Sequence, residues 1–172
     1  MAQSKYMKRG VSGAPIPARL PFADAVTVAC AKYDFPPCLA YAVRQNETDS
    51  STDPAEMQIG SIGDYMPDGS NAGHGPFQLT SSYPVSSNPA YDWSNPYENA
   101  LYAVEVFLQP AWVFWTENTD LEGDDLVRAV SVSFNAGIGA AWAAHLAGNL
   151  DMASTDNYGR RALSLYHKLI GN

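Results

Sequence analysis

Three short stretches of this sequence carry side chains able to act on a ligand, and their order along the chain matters. Glu47 ends the run Leu39-Ala40-Tyr41-Ala42-Val43-Arg44-Gln45-Asn46, so a carboxyl group follows an apolar helical turn. Apolar neighbours and the negative end of a helix dipole both disfavour the carboxylate there and push its pKa upward. A carboxylic acid that holds its proton near neutral pH can protonate a leaving oxygen, which is the requirement of general acid catalysis in glycoside cleavage. By position alone, a solvated glutamate at a fraying helix end is the better reading of Glu47, since surface acids are common and unperturbed; the motifs that follow shift the balance.

Gly73-His74-Gly75-Pro76-Phe77-Gln78-Leu79 then gathers glycines and an amide around one aromatic ring. Such glycines let backbone come close to a ligand, and sugars bind through backbone groups, side-chain amides and aromatic faces. A hairpin turn with a buried Phe77 accounts for the same residues. Farther on, Phe134-Asn135-Ala136-Gly137-Ile138-Gly139 closes an apolar helix with an amide and two glycines. Asn135 is there either as a helix cap or as an amide for an N-acetyl group or a sugar hydroxyl. His74, His145 and His167 lack HExxH spacing, and Cys30 and Cys38 are too few for a thiolate zinc site, so no metal is expected. Acid catalysis of this kind requires no cofactor, and none is expected. The two cysteines read as buried thiols, with a short bridge between them as the alternative.

These residues need elements to position them. Residues 1–19 are punctuated by Gly10, Ser12, Gly13, Pro15 and Pro17 and show no apolar period, so they read as a tail or arm. Helical spacing of Phe22, Ala25, Val26, Ala29 and Cys30 predicts a first helix over 21–33. Pro36 and Pro37 break it, and Pro37 opens a second helix that reaches Glu47. Residues 48–96 are rich in Asp, Ser, Gly, Pro and Asn, with short apolar pieces such as Met57-Gln58-Ile59 and Phe77-Gln78-Leu79, and predict loop with two or three small strands. Interspersed aromatics, Tyr65, Phe77, Tyr83, Tyr91 and Trp93, favour a functional role for so long an irregular stretch. Asn95-Pro96 starts a third helix that Pro110 should kink or end before a continuation through Trp112, Phe114 and Trp115. A fourth begins near Gly123-Asp124-Asp125 and runs to Phe134, with further helices over 140–146 and 158–169.

At 172 residues and 46% hydrophobic, the chain has the size and the apolar content of one domain. A net charge of −8 argues against gripping nucleic acid or an anionic membrane. The first residues carry positive charge with no apolar run behind it, unlike a secretory signal, and no stretch approaches the ~18 apolar residues of a membrane span.

Taken together, the acid-tipped helix, Gly-His-Gly-Pro-Phe-Gln-Leu, Phe-Asn-Ala-Gly-Ile-Gly and Asp156-Asn157-Tyr158 opening a final helix are similar, in order and spacing, to goose-type lysozymes and the related soluble lytic transglycosylases. The resemblance covers roughly residues 36–170. It implies a mainly α, α+β lysozyme-like fold: one helical catalytic domain over 20–172, with a small irregular β/loop region around 50–95 forming one side of a glycan cleft. The activity it implies is cleavage of peptidoglycan between N-acetylmuramic acid and N-acetylglucosamine, with Glu47 as general acid. His74, Phe77, Gln78 and Asn135 would contact the sugar, and Tyr158 would brace or contact the substrate near Glu47. The sequence departs from the pattern at Thr80, where goose-type lysozymes place a water-positioning aspartate directly after the Gln-apolar pair. Asp68 is the candidate second catalytic carboxylate, with Asp64 less favoured and Asp49 two residues beyond the acid; an inverting hydrolase needs the pair ~6.5–9.5 Å apart. Glu47-Thr48 replaces the Glu-Ser pair of transglycosylases. Alternatives are a transglycosylase forming an anhydro product, and a non-catalytic virion or wall-binding protein. An acidic wall-acting protein with no export signal needs delivery by a phage virion, a membrane pore or a secretion machine.

Overall fold

A computed structural model describes residues 5–48, 73–80, 92, 95–154 and 156–171, and within them the chain is mainly helical. Helix α1, Ala23–Tyr33, buries Ala25, Val26, Ala29 and Cys30. It ends where Asp34 turns left-handed (φ 49°) and the Phe35 N–H returns to the Cys30 carbonyl at 3.0 Å. Pro37 then opens helix α2, Pro37–Thr48, at a position where no N–H is needed.

Seven consecutive residues of α2, from Cys38 to Arg44, are buried. Burial around the whole circumference makes α2 the central post of the fold rather than a surface helix. Its Arg44 is accommodated there because Nη1 donates to the Tyr41 hydroxyl at 3.2 Å and the guanidinium lies 5.2 Å from the Phe22 ring and 5.3 Å from the Tyr41 ring.

The described part of the irregular region is a hairpin: β1, Gly73–His74, pairs antiparallel with β2, Leu79–Thr80. Gly75 (φ 67°) and Gln78 (φ 46°) take left-handed conformations in the turn, and the Gln78 N–H closes on the Gly75 carbonyl at 3.0 Å. The expected strand at Met57-Gln58-Ile59 lies outside the described residues, as do Tyr65, Tyr83, Tyr91 and Trp93.

Helix α3, Pro96–Tyr102, starts where Asn95-Pro96 predicts, with the Asn95 side chain accepting the Tyr97 N–H at 3.0 Å. Pro110 does not end the helix, which continues through Trp112, Phe114 and Trp115. A π-helical segment, Ala103–Leu108, joins α3 to α4, Gln109–Asn118, without a break. Widening the hydrogen-bond period ahead of Pro110 makes room for a residue that has no N–H and would crowd the preceding turn.

Helix α5, Gly123–Ala136, buries Leu126, Val127, Ala129, Val130 and Val132 and packs on α4, α6 and α7. Helix α6, Ile138–Leu146, follows after the single hinge residue Gly137 (φ 83°). It covers Trp115 with Trp142 (centroids 5.6 Å apart) and His145 (5.2 Å), which explains that histidine as part of an aromatic cluster. The last helix, α7, Tyr158–Ile170, lies along both α2 and α5.

Residues 5–19 are an arm strapped to this body. Val11 and Ile16 are buried, Arg9 Nη2 donates to the Thr116 carbonyl at 2.6 Å, and the Ser12 N–H donates to the Tyr166 hydroxyl at 2.6 Å. Cys30 and Cys38 are free buried thiols, the latter donating to the Ala14 carbonyl at 3.2 Å. Burial pushes the Cys38 thiol up to about 11 and that of Cys30 higher still, so neither is a reactive thiolate. No described helix is long and apolar enough to cross a membrane.

The start of α7 is seated by Gly159, where an added Cβ would stand 2.7 Å from Val132 Cγ2. Val132 is β-branched and on a helix, so it has little freedom to move aside. Gly159→Ala is expected to destabilise the protein by about 1–3 kcal/mol, read as a lower melting temperature in calorimetry; an unchanged melting curve would contradict this packing.

Candidate functional site

Helix α2 delivers Glu47 to its C-terminal turn, and the carboxyl group opens onto a cleft of about 140 Å³. Around it stand Gln78 and Leu79 from the hairpin, Phe107 from the π segment, and Ser133, Phe134, Asn135 and Gly137 from the end of α5. Three separate parts of the chain thus converge on one carboxyl group.

Behind Glu47 lies Tyr158, buried at the start of α7, and its hydroxyl donates to Glu47 Oε1 in a short hydrogen bond. The preceding residue grips the same tyrosine: Asn46 Nδ2 donates to the Tyr158 carbonyl at 3.3 Å. Two adjacent side chains of α2 therefore fix one residue of α7 at both its backbone and its ring. Burial raises the Glu47 pKa from 4.5 to about 7, against the opposing pull of the Tyr158 hydrogen bond and the Arg161 charge. Burial and the adjacent carboxylate hold the Tyr158 phenol well above its ordinary range, so it remains a donor.

The sequence-predicted residues divide. Glu47, Gln78, Asn135 and Tyr158 are brought together, Asn135 exposed and Gln78 half-buried. Gln78 is oriented by its Nε2, which donates to the Gly75 carbonyl at 2.9 Å. Gly73 lets that side chain lie close, because a Cβ there would meet Gln78 Oε1 at 2.6 Å and displace it. Phe77 and His74 are not on the cleft wall. Phe77 is fully buried with its ring 6.1 Å from that of Phe134, so it supports the wall from behind rather than meeting a ligand. His74 is half-buried, and burial lowers its pKa, favouring the neutral ring. Asp68, Asp64 and Asp49 lie outside the described residues, and Thr80 is described only as backbone. Among the described residues, Glu47 is the one carboxyl group on the cleft wall, and no cluster of ligands able to hold a metal is present.

Several contributors carry little sequence signal. Asn99, buried on α3, accepts the Phe77 N–H at 3.1 Å and donates to the His74 carbonyl at 3.1 Å, fastening the hairpin to the helical body. Ser133 accepts from Trp115 Nε1 at 2.8 Å and donates to the Ala129 carbonyl at 2.8 Å. Neither belongs to a motif; a polar residue in an apolar helical stretch was the only hint. Arg161 was detectable in principle, since it follows Tyr158 by three residues and so shares its helix face.

Comparisons of the chain with protein-family models, curated proteins and solved structures give no match.

Two expectations follow from the acid's surroundings. A carboxyl group whose pKa is raised on folding binds more protons in the native state between 4.5 and about 7 than in the unfolded state, so stability falls as pH rises through that window. Glu47→Gln removes this penalty, which is on the order of 3 kcal/mol. The melting temperatures of the two proteins should coincide near the acid end and separate, with the variant higher, above neutrality; parallel curves would show that Glu47 is not buried as described. In Tyr158→Phe the hydrogen bond that favours the carboxylate is gone, so the Glu47 titration midpoint, followed by carbon-13 NMR, should move upward. A downward move would reverse the assigned role of that bond.

Proposed function

We propose that this chain is a glycosidase that cuts peptidoglycan between N-acetylmuramic acid and N-acetylglucosamine, with Glu47 as general acid. The observation that carries the reading is the carboxyl group on the cleft wall, half-buried and raised to about 7, so that a substantial fraction keeps its proton at neutral pH. The motif order Glu47, Gln78, Asn135, Tyr158 and its likeness to goose-type lysozymes supply the substrate class; a mainly helical fold agrees with that likeness without distinguishing it from other helical enzymes.

In this reading the glycan lies in the cleft against Gln78 and Asn135, whose amides suit sugar hydroxyls and N-acetyl groups. Oε1 of Glu47 accepts from Tyr158, so Oε2 carries the proton. As the bond from the anomeric carbon to the bridging oxygen breaks, that proton passes to the oxygen, the departing sugar leaves neutral, and the anomeric carbon develops oxocarbenium character. Glu47, now anionic, is stabilised by the Tyr158 hydroxyl and the nearby Arg161 charge, so the product state of the proton transfer is favoured by the same groups that hold the acid in place.

What captures the oxocarbenium ion divides two products. Water held by a second carboxylate gives a reducing sugar, for which Asp68 remains the candidate. The second reading, a lytic transglycosylase in which the muramic acid 6-hydroxyl attacks and loses its proton to the Glu47 carboxylate, is favoured by Thr80 in place of aspartate. Delivery to the wall by a virion, pore or secretion machine is part of the proposal, as is action without a cofactor.

Glu47→Gln should retain the fold and lower the release of soluble muropeptides from purified peptidoglycan by roughly 10²–10⁴-fold. Unchanged release removes Glu47 from the mechanism, whereas a wild-type protein that sediments with the wall and releases nothing is a binder. Mass spectrometry of the products separates reducing from 1,6-anhydro ends.

A further inference from the structure

The start of α7 is poorly supported by its own sequence. Asp156 (φ 52°) and Asn157 (φ 55°), the two residues ahead of Tyr158, both take left-handed backbone conformations. Asp and Asn tolerate that region better than most side chains, yet it remains less favourable than ordinary backbone. Asn157 makes no side-chain capping bond, and the first turn holds no acidic residue. It carries Arg160 and Arg161 instead, at the end of a helix dipole that favours negative charge. A strained turn of this kind keeps its place where surrounding contacts fix it.

Two of those contacts lead to α5. Gly159 is seated against Val132, and Arg160 Nε bonds Asp151 Oδ2 at 2.7 Å, beside Arg128 of α5. They hold the turn to α5 and not to the helix that carries Glu47. Asn46 supplies a link to α2: it is buried, and its Nδ2 donates to the Tyr158 carbonyl at 3.3 Å. Burying an amide is unfavourable unless it is bonded, and a leucine of similar shape would pack without that requirement. What the amide adds is direction. With the backbone of Tyr158 anchored, its side chain has two torsions left, and these decide whether the hydroxyl meets Glu47 Oε1.

We propose that Asn46 is a positioning residue for the reaction, holding the strained start of α7 against the end of α2 so that the Tyr158 hydroxyl stays on Glu47. The proposal rests on the reading of Glu47 as general acid. Asn46 touches no substrate in this scheme and acts through Tyr158 alone.

A double-mutant cycle followed by carbon-13 NMR tests this without substrate. Asn46→Leu removes the donor while nearly keeping the volume, and Asn46→Ala takes its place if the leucine variant does not fold. The Glu47 midpoint should move upward, as in Tyr158→Phe, because the hydroxyl that favours the carboxylate is less well placed. Burial and the Arg161 charge, the other influences on Glu47 among the described residues, are retained in the variant. Combining Asn46→Leu with Tyr158→Phe should shift the midpoint no farther than Tyr158→Phe alone. On peptidoglycan, kcat should fall about 10-fold with KM within about twofold, and the alkaline limb of the pH profile should move with the midpoint. An unmoved midpoint in the Asn46 variant, or shifts that add in the double variant, would overturn the assignment, since a residue that contributes only packing lowers the melting temperature without such coupling. If the cycle behaves as expected but wild-type protein releases no muropeptides, the catalytic reading fails and the placement of Tyr158 by Asn46 stands.

Discussion

The hydrogen bond from the buried Tyr158 hydroxyl to Glu47 Oε1 joins the end of the central helix to the start of the last one. It also resolves the main physical difficulty of the site. A carboxyl group removed from water must be protonated, paired or hydrogen-bonded, and Glu47 is held between the first and third of these. Burial pushes toward the neutral acid while the phenol favours the anion, and the balance falls at about 7. Burial alone would carry the balance further toward the acid, and the hydrogen bond alone further toward the anion.

That balance depends on packing some distance away. Tyr158 can reach Glu47 because Asn46 holds its carbonyl, because Gly159 lets α7 approach α5, and because Asp151 ties Arg128 on α5 to Arg160 on α7. On the opposite wall, Asn99 pins the hairpin that carries Gln78, and the ring of Phe77 wedges against Phe134 beneath the cleft. None of these groups needs to touch a ligand. Their shared effect is to leave little freedom at the few side chains that line the cleft, which is the condition for fixed polar groups to act on a bound molecule.

The sequence disclosed the helices and the acid better than the supporting contacts. Pro37 and Asn95-Pro96 marked helix starts because proline and asparagine act through local backbone chemistry, which needs no knowledge of tertiary structure. Pro110 was legible only in part: its local cost is real, but the helix continues past it behind a π-helical segment over Ala103–Leu108, and no residue type announces that change. Phe77 was assigned to ligand contact on the strength of its flanking glycines, when those glycines serve the turn and the close approach of Gln78. Asn99 and Ser133 stayed hidden because a buried polar group is defined by its partner, and the partners come from distant parts of the chain. The Asp68 assignment falls outside the described residues, so the second carboxylate rests on sequence alone.

Overall charge and local charge lead to different conclusions for this protein. A net charge of −8 slows the approach of an anionic polymer in free solution, and a freely diffusing wall enzyme would gain from the opposite sign. Over distances shorter than the ~8 Å screening length at physiological salt, however, individual side chains outweigh the mean field. At the cleft the relevant group is an acid that is uncharged for much of the time near pH 7. Under the proposed function, raising the Glu47 pKa would have two consequences: it would supply a proton, and it would remove a negative charge from the wall against which an anionic strand is proposed to lie. Proton loss from Glu47 at higher pH would then weaken both at once, coupling affinity to catalytic competence through a single carboxyl group.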